Sequence, residues 1–212
     1  LKRLTDQAFE QWKVVLTEAP VHATHLAAEA AREGFDLVAA VGGDGTCHEV
    51  VNGLFENGKP INKKTAFTVI PFGTGSDLVR SLDIPTRTRE ALWIAATGVT
   101  LPTDVGVAEI STEGDPIHEL FINVAGFGAN GEIVRRSNKS SKKLGGRLTF
   151  IGATVATLAS YKPSAVRVTM QNGSTTEVWE DELVSAFVAN GLYCGGGMWV
   201  GPEGSMQDGQ FE

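Results

Sequence analysis

Three glycines in four positions, Gly42, Gly43 and Gly45, stand in the run Val41-Gly42-Gly43-Asp44-Gly45-Thr46-Cys47-His48-Glu49, directly after an apolar segment at 35–41. Glycine at that density lets backbone N–H groups close on a polyphosphate, and a helix that starts there adds partial positive charge for an anion. Asp44 sits inside this anion site. A carboxylate there is costly unless a cation stands beside it, so Asp44 implies Mg²⁺ bridging to phosphates, directly or through water. The plainer alternative is a tight turn with a helix cap, since Asp-Gly-Thr is also ordinary turn chemistry. No Gly-Lys-Ser/Thr follows, so the loop is not of the Walker A type. A second run, Ile70-Pro71-Phe72-Gly73-Thr74-Gly75-Ser76-Asp77-Leu78-Val79-Arg80, repeats the order strand, glycine turn, helix. There Gly73 and Gly75 clear space, Thr74 can donate a hydroxyl to phosphate, and Asp77 opens the helix, with simple capping by Ser76 and Asp77 as the alternative.

The elements that must position these loops follow from the pattern of apolar residues. Residues 22–32 are Ala-rich and end at Gly34, a helix with its terminating glycine. The continuous apolar runs at 35–41 and 66–70 are of the kind that fills a parallel sheet. Val50, Val51, Leu54 and Phe55 share one face of a helix over 46–57, and a shorter helix is expected near 76–82. A helix at the start, a short strand at 13–16 and the turn Thr17-Glu18-Ala19-Pro20 precede them. Alternating strands and helices with short connections imply a helix-covered parallel sheet, and right-handed crossovers put both glycine turns at its carboxyl edge, where such folds bind ligands. Beyond Gly98 the texture changes. Strands are expected at 104–110, 120–125, 165–171, 175–179 and 184–190, with Asn172-Gly173 as a hairpin turn and one helix over about 144–160. The domain reading is therefore an α/β nucleotide-binding domain at 1–99 and a β-rich, sandwich-like domain at 100–212.

Composition bounds the partners. The 212 residues are 42% hydrophobic and 20% charged, which supports a packed core rather than disorder. A net charge of −7 argues against a nucleic-acid binder. Two cysteines form neither a disulfide framework nor a CxxC pair, which favours a reducing, cytoplasmic setting. No run of 18 apolar residues occurs, and no signal peptide is expected.

The two glycine motifs together resemble the diacylglycerol kinase catalytic domain family and its soluble bacterial lipid kinase relatives. The first motif is shared with NAD kinases; the second points to lipid kinases. Asp104-Val105-Gly106, Phe121-Ile122-Asn123-Val124-Ala125-Gly126-Phe127-Gly128, Leu144-Gly145, Asn190-Gly191-Leu192-Tyr193-Cys194-Gly195-Gly196-Gly197-Met198, Pro202 and Asp208-Gly209 fall in the family's order. The resemblance implies an ATP-dependent lipid kinase that phosphorylates diacylglycerol or a similar lipid alcohol. It implies ATP contacts from Thr17, from Gly42, Gly43, Asp44, Gly45, Thr46, Cys47 and His48, and from Gly73 and Thr74. Asp44 and Asp77 would orient Mg-ATP and the phosphoryl group, and a structural Mg²⁺ would be held by Asp208 with Ser205 and Gln210 beside it. The bland reading of Asp208 is an Asp-Gly turn. Ser76 stands where the family usually has Asn, and His48 where it often has Asn. An N-terminal strand with an Asn-Pro and Ser-Gly phosphate loop and a late Asp-Gly-Glu are missing, so the proton acceptor is expected beyond Glu212. A sphingoid-base or NAD kinase, and a non-catalytic nucleotide-binding module, remain as alternatives.

One charge run bears on how an acidic protein meets a lipid. Arg135, Arg136, Lys139, Lys142, Lys143 and Arg147 lie between positions 135 and 147 with no Asp or Glu among them. Such a run could hold the enzyme peripherally on an anionic membrane, and its plainer reading is a solvated loop. A homodimer is compatible with the sequence but is not read from it. His22 and His25, three apart, read as a solvated helix face, and Cys47 reads as a packing residue.

Overall fold

In the computed structural model, residues 2–72, 77–111, 113–139 and 146–212 are described. The chain divides into two compact units, Leu1–Val124 with Ala189–Glu212, and Ala125–Val188.

The first unit opens with α1 (Lys2–Ala8) and α2 (His22–Glu33). Alanines 23, 27 and 31 recur at i+4 and are the buried stripe of α2. Gly34 terminates the helix at φ 85°, donating its N–H to Ala30 and Ala31 carbonyls, as expected for a left-handed cap. β1 (Leu37–Gly42) then leads into α3 (Asp44–Gly53). Small side chains let α2 and α3 approach closely: a Cβ on Gly53 would lie 2.1 Å from the Thr24 carbonyl oxygen. β2 (Phe55–Glu56) and β3 (Lys59–Pro60) form a small hairpin around Asn57-Gly58. β4 (Ala66–Pro71) returns to pair with β1 in parallel, Leu37 against Ala66 through Gly42 against Pro71. This register brings the ends of β1 and β4, Gly42 and Pro71, to the same carboxyl edge, as the crossover rule requires. α4 (Asp77–Ser81) and α5 (Thr88–Thr97) follow, then the antiparallel pair β5 (Gly106–Ile110) and β6 (Ile117–Phe121). Ala40, Cys47, Val50, Val51, Val69, Leu78 and Val79 are the centre of the core that these elements share.

In the second unit β7 (Val124–Gly128) pairs with β10 (Ser185–Ala189). Between them come α6 (Ala129–Lys139), α7 (Gly146–Leu158) and the long hairpin of β8 (Ser164–Asn172) with β9 (Thr175–Leu183). Asn172 pairs with Thr175, so the two loop residues are Gly173 and Ser174, one position later than the expected Asn172-Gly173 turn. The chain then re-enters the first unit as the hairpin β11 (Tyr193–Cys194) and β12 (Met198–Trp199).

Two expectations need correction. Residues 13–16 are not a strand: among the described residues no ladder partner reaches them, and apolar, β-branched residues alone do not make one. Residues 135–139, expected as loop, belong to α6. Glu132 pairs with Arg135 at 2.7 Å and with Arg136 at 2.6 Å, the i+3 and i+4 spacings that support a helix.

Candidate functional site

All of the geometry below lies in the first unit. β1 ends at Gly42, and a Cβ there would sit 2.6 Å from the Thr46 hydroxyl, so only glycine lets Thr46 fold back over the strand end. Gly43 caps α3 with no side-chain hydrogen bond, which leaves the first N–H groups of the helix without an intrahelical acceptor. A Cβ on Gly45 would meet nothing within 4 Å. The first N–H groups of α3 therefore stand without intrahelical acceptors at the positive end of its macrodipole, and a phosphate group fits that donor set.

Thr17 and Thr46 come together as walls of one cleft of about 700 Å³, with Val14, Leu16, Val41 and Phe72 as its apolar surfaces. Cys47 and His48 belong to α3. Cys47 is buried against the core, and that burial, reinforced by the Asp44 charge, pushes its thiol up to about 12. It is a packing residue whose side chain is no nucleophile. The His48 Nε2 lies 3.3 Å from the Glu119 carboxylate. Gly73 and Thr74 lie outside the described residues, as do Lys142 and Lys143.

Asp44 has a second task that spacing could not reveal. Its Oδ1 accepts the Leu78 N–H at 3.1 Å and its Oδ2 the Asp77 N–H at 3.4 Å, so it ties the first glycine loop to the start of α4. One carboxylate accepts about four hydrogen bonds or metal bonds, so lone pairs remain for a cation. Asp77 is buried, and its oxygens accept from Arg80 Nη1 at 2.9 Å and from the Gly196 N–H at 2.6 Å. Gly195, Gly196 and Gly197 all have positive φ, 63°, 92° and 105°, which only glycine adopts without strain over three successive residues. Burial, then the charges of Asp77 and Asp44, push the Cys194 thiol up, which sets this turn beside both carboxylates. Ser81 steadies the same stretch: its Oγ accepts the Leu192 N–H at 3.0 Å and donates to Asn123 Oδ1 at 2.9 Å, while Asn123 Nδ2 donates to the Tyr193 carbonyl at 2.8 Å. Arg80, Ser81 and the 195–197 turn were not assigned roles by sequence reasoning, although the glycine triplet was a visible signal.

Two more side chains of α3 reach other elements. Glu49 accepts the Val21 N–H at 3.0 Å and the Ala23 N–H at 3.1 Å, capping α2 from outside. Asn52 pairs with the backbone of Leu120, donating to its carbonyl at 2.9 Å and accepting its N–H at 2.8 Å.

The expected metal position is a turn held by Asp104, whose Oδ2 accepts the Gly209 N–H at 2.8 Å. There Asp208 Oδ1 accepts the Gln210 N–H at 3.0 Å, and Ser205 Oγ accepts the Gln207 N–H at 3.3 Å. Among the described residues no group of three or more His, Cys, Asp and Glu side chains gathers. A cation at this turn would rest on the Asp208 carboxylate and neighbouring oxygens, with the Asp104 carboxylate at the same turn, a donor set that hard divalent cations accept. Among the described residues no helix is long and apolar enough to cross a membrane.

Comparison with known proteins agrees with this geometry. The model of the diacylglycerol kinase catalytic domain matches residues 1–108, and that of the YegS C-terminal NAD kinase beta sandwich-like domain matches residues 123–212. The second match bears out the sandwich-like expectation. A relative named diacylglycerol kinase from Bacillus subtilis (strain 168) is 32% identical over 98% of this chain and 63% of its own length. A probable lipid kinase YegS-like protein of Stenotrophomonas maltophilia (strain K279a) is 26% identical over 95% of this chain and 63% of its own. A crystal structure of a diacylglycerol kinase from Bacillus anthracis str. Sterne superposes with a TM-score of 0.70 at 27% identity, covering 100% of this chain and 64% of that one. The chain thus spans less than two thirds of the length of these relatives. With the ends of β1 and β4 at one sheet edge and a catalytic-domain match over half of its residues, this chain belongs to the diacylglycerol kinase catalytic domain family.

Proposed function

We propose that the protein is an ATP-dependent lipid kinase that transfers the γ-phosphoryl group of ATP to the hydroxyl of diacylglycerol or a similar lipid alcohol. The observation that carries this reading is the 42–46 turn, where β1 ends at the N-terminus of α3 and Asp44 reaches the backbone of Asp77 and Leu78 in the second motif. The names of the relatives support the substrate class.

In the reaction the bond between the γ-phosphorus and the bridging oxygen of ATP breaks, a new bond to the lipid oxygen forms, the hydroxyl proton passes to a base, and ADP leaves. Positioning and charge neutralisation dominate such chemistry. Gly42, Gly43 and Gly45 let the backbone approach the phosphates, and Thr17 and Thr46 line the adjoining cleft. Mg²⁺, when bound with ATP, neutralises phosphate charge, and the free lone pairs of Asp44 are placed to hold it. Asp208, with Ser205 and Gln210, is proposed as the seat of a second, structural Mg²⁺. The setting is proposed to be cytoplasmic, with peripheral membrane association through the cationic run. That run is Arg135, Arg136, Lys139, Lys142, Lys143 and Arg147; in it Arg135 and Arg136 are also engaged by Glu132, whose carboxyl they hold down to about 2.

The test is a panel of acceptors with labelled ATP and the full-length protein: diacylglycerol, sphingosine and NAD. Label in the phosphorylated diacylglycerol supports the reading. Label only in sphingosine or NAD shifts the substrate class, and binding of ATP without transfer to any acceptor identifies a nucleotide-binding module.

A further inference from the structure

One turn after Asp77, α4 presents Arg80. Its Nη1 donates to Asp77 Oδ1 at 2.9 Å, and the Asp77 side chain is 6% exposed while that of Arg80 is 44% exposed. A buried carboxylate therefore grips one corner of a guanidinium whose remaining edge faces solvent. The same α4 is tied to the first glycine loop by Asp44, so Arg80 stands two to three residues, about 3–4.5 Å along the axis, from that junction. On the other side a Cβ at Gly197 would lie 2.9 Å from Nη1, so the 195–197 turn passes directly over the guanidinium. Among the described residues, Arg80 is the one cation hydrogen-bonded to this cluster of Asp44, Asp77 and the glycine turn.

Pairing with Asp77 is an incomplete reason for an arginine here. It gives a buried carboxylate its counter-charge through one Nη1 donor of the fork, a task that does not need the planar guanidinium. Asp77 could also hold the Gly196 N–H without Arg80. A phosphate reader is a better one. Arginine offers five N–H donors in a planar fork that matches phosphate oxygens, and among the described residues Asp77 engages one of them. Orientation by a buried carboxylate removes most of the rotamer freedom that binding would otherwise have to quench. A polyphosphate on the 42–46 turn would bring its charge next to two carboxylates, where a fixed cation is required.

We propose that Arg80 is a phosphate-binding residue that contacts the transferred phosphoryl group, and that Asp77 is the positioning residue that aims its guanidinium rather than a group that touches substrate. This rests on the phosphoryl-transfer reading above.

The experiment compares full-length parent, Arg80→Ala, Arg80→Lys, Asp77→Asn and the Asp77→Asn/Arg80→Ala double variant. Three readouts are taken: kcat and KM for ATP, calorimetric affinity for ADP and for a non-hydrolysable β,γ-imido ATP, and thermal melting. Arg80→Ala is expected to lower kcat about 100-fold, the scale of one lost preorganised contact, and Arg80→Lys to recover part of it. Affinity for the imido analogue should fall about tenfold, a loss of one 1.4 kcal/mol step, with ADP affinity unchanged; melting falls in Arg80→Ala, where the buried Asp77 charge loses its partner, and this loss is relieved in the double variant. In the double variant kcat should match that of Arg80→Ala alone, because Asp77 acts through Arg80. Arg80→Ala with kcat and analogue affinity near parent values overturns the proposal, as does multiplication of the two single effects. If the parent transfers phosphate to no acceptor, the kinase reading fails, and the analogue-against-ADP comparison still decides whether Arg80 binds the terminal phosphate.

Discussion

Glu49 closes the first glycine motif, and its carboxylate caps a different helix. Val21 precedes α2 with φ 67° and offers no side-chain cap, and Glu49 supplies both missing acceptors, to Val21 N–H at 3.0 Å and to Ala23 N–H at 3.1 Å. Hydrogen bonds to a charged group contribute about 1.5–3 kcal/mol each when sheltered. Here the Val21 N–H is exposed, so water replaces much of that bond, whereas the Ala23 bond is partly buried. The carboxylate at a helix N-terminus adds about 0.3–1 kcal/mol. Glu49→Ala should therefore cost about 2 kcal/mol. Glu49→Gln, which keeps one acceptor and loses the charge, should cost about 1 kcal/mol. For a protein of this size those losses lower the melting temperature by roughly 4–8 °C and 2–4 °C. Calorimetric melting is the assay, with ATP affinity below the transition as its companion. Affinity should hold, because Glu49 points to α2 and not to the 42–46 turn. A Glu49→Ala protein that melts with the parent yet loses ATP binding would refute the capping argument and place this carboxylate in the site.

Other consequences follow from the packing and the charges. The Cys47 thiol ionises near 9 in the unfolded chain and only near 12 in the fold, so its contribution is complete below pH 9 and is lost as pH rises toward 12. At pH 10 the parent should have lost about 1.5 kcal/mol relative to a Cys47→Ala protein compared at the same two pH values, measured by urea unfolding. Gly53→Ala drives a Cβ into the Thr24 backbone at 2.1 Å, and the overpacking cost of about 1–3 kcal/mol should outweigh the roughly 1 kcal/mol gain in helix propensity, lowering the melting temperature. A variant with Lys139, Lys142 and Lys143 changed to Gln should bind anionic vesicles more weakly, by roughly 1 kcal/mol per cation, with the difference shrinking as salt rises. Superposable binding curves would remove the membrane role of the run.

The β1, glycine turn, α3 unit was legible in the sequence because three local signals coincide there: a continuous apolar run, clustered glycine and a helical apolar face. The β4 edge was legible for the same reasons, and so was the burial of Cys47. What escaped was long-range. Asp44 bonded to Asp77 and Leu78, Glu49 to Val21 and Ala23, and Asn52 to Leu120 are contacts between elements, and no periodicity encodes them. Polar residues of the motif therefore read as ligand groups when part of their work is to hold α2, α4 and β6 around the loop. Residues 13–16 failed in the opposite sense: Val14, Val15 and Leu16 have strand character, but a strand exists only where a ladder meets it. α6 was missed because its cations were read as a run, and the Glu132 pairs that organise Arg135 and Arg136 begin before that run.

The central claim is that the 42–46 turn, with Asp44, is a phosphoryl-transfer site. It is tested most directly by the rate of phosphate transfer from Mg-ATP to diacylglycerol in mixed micelles, with full-length parent and Asp44→Asn protein side by side. Asn keeps one oxygen for the Leu78 N–H, so the fold should persist with a melting loss of about 1 kcal/mol or less. Turnover should fall about 100-fold or more as the charge that neutralises the Mg-ATP complex is lost. Equal turnover by the two proteins would contradict the account.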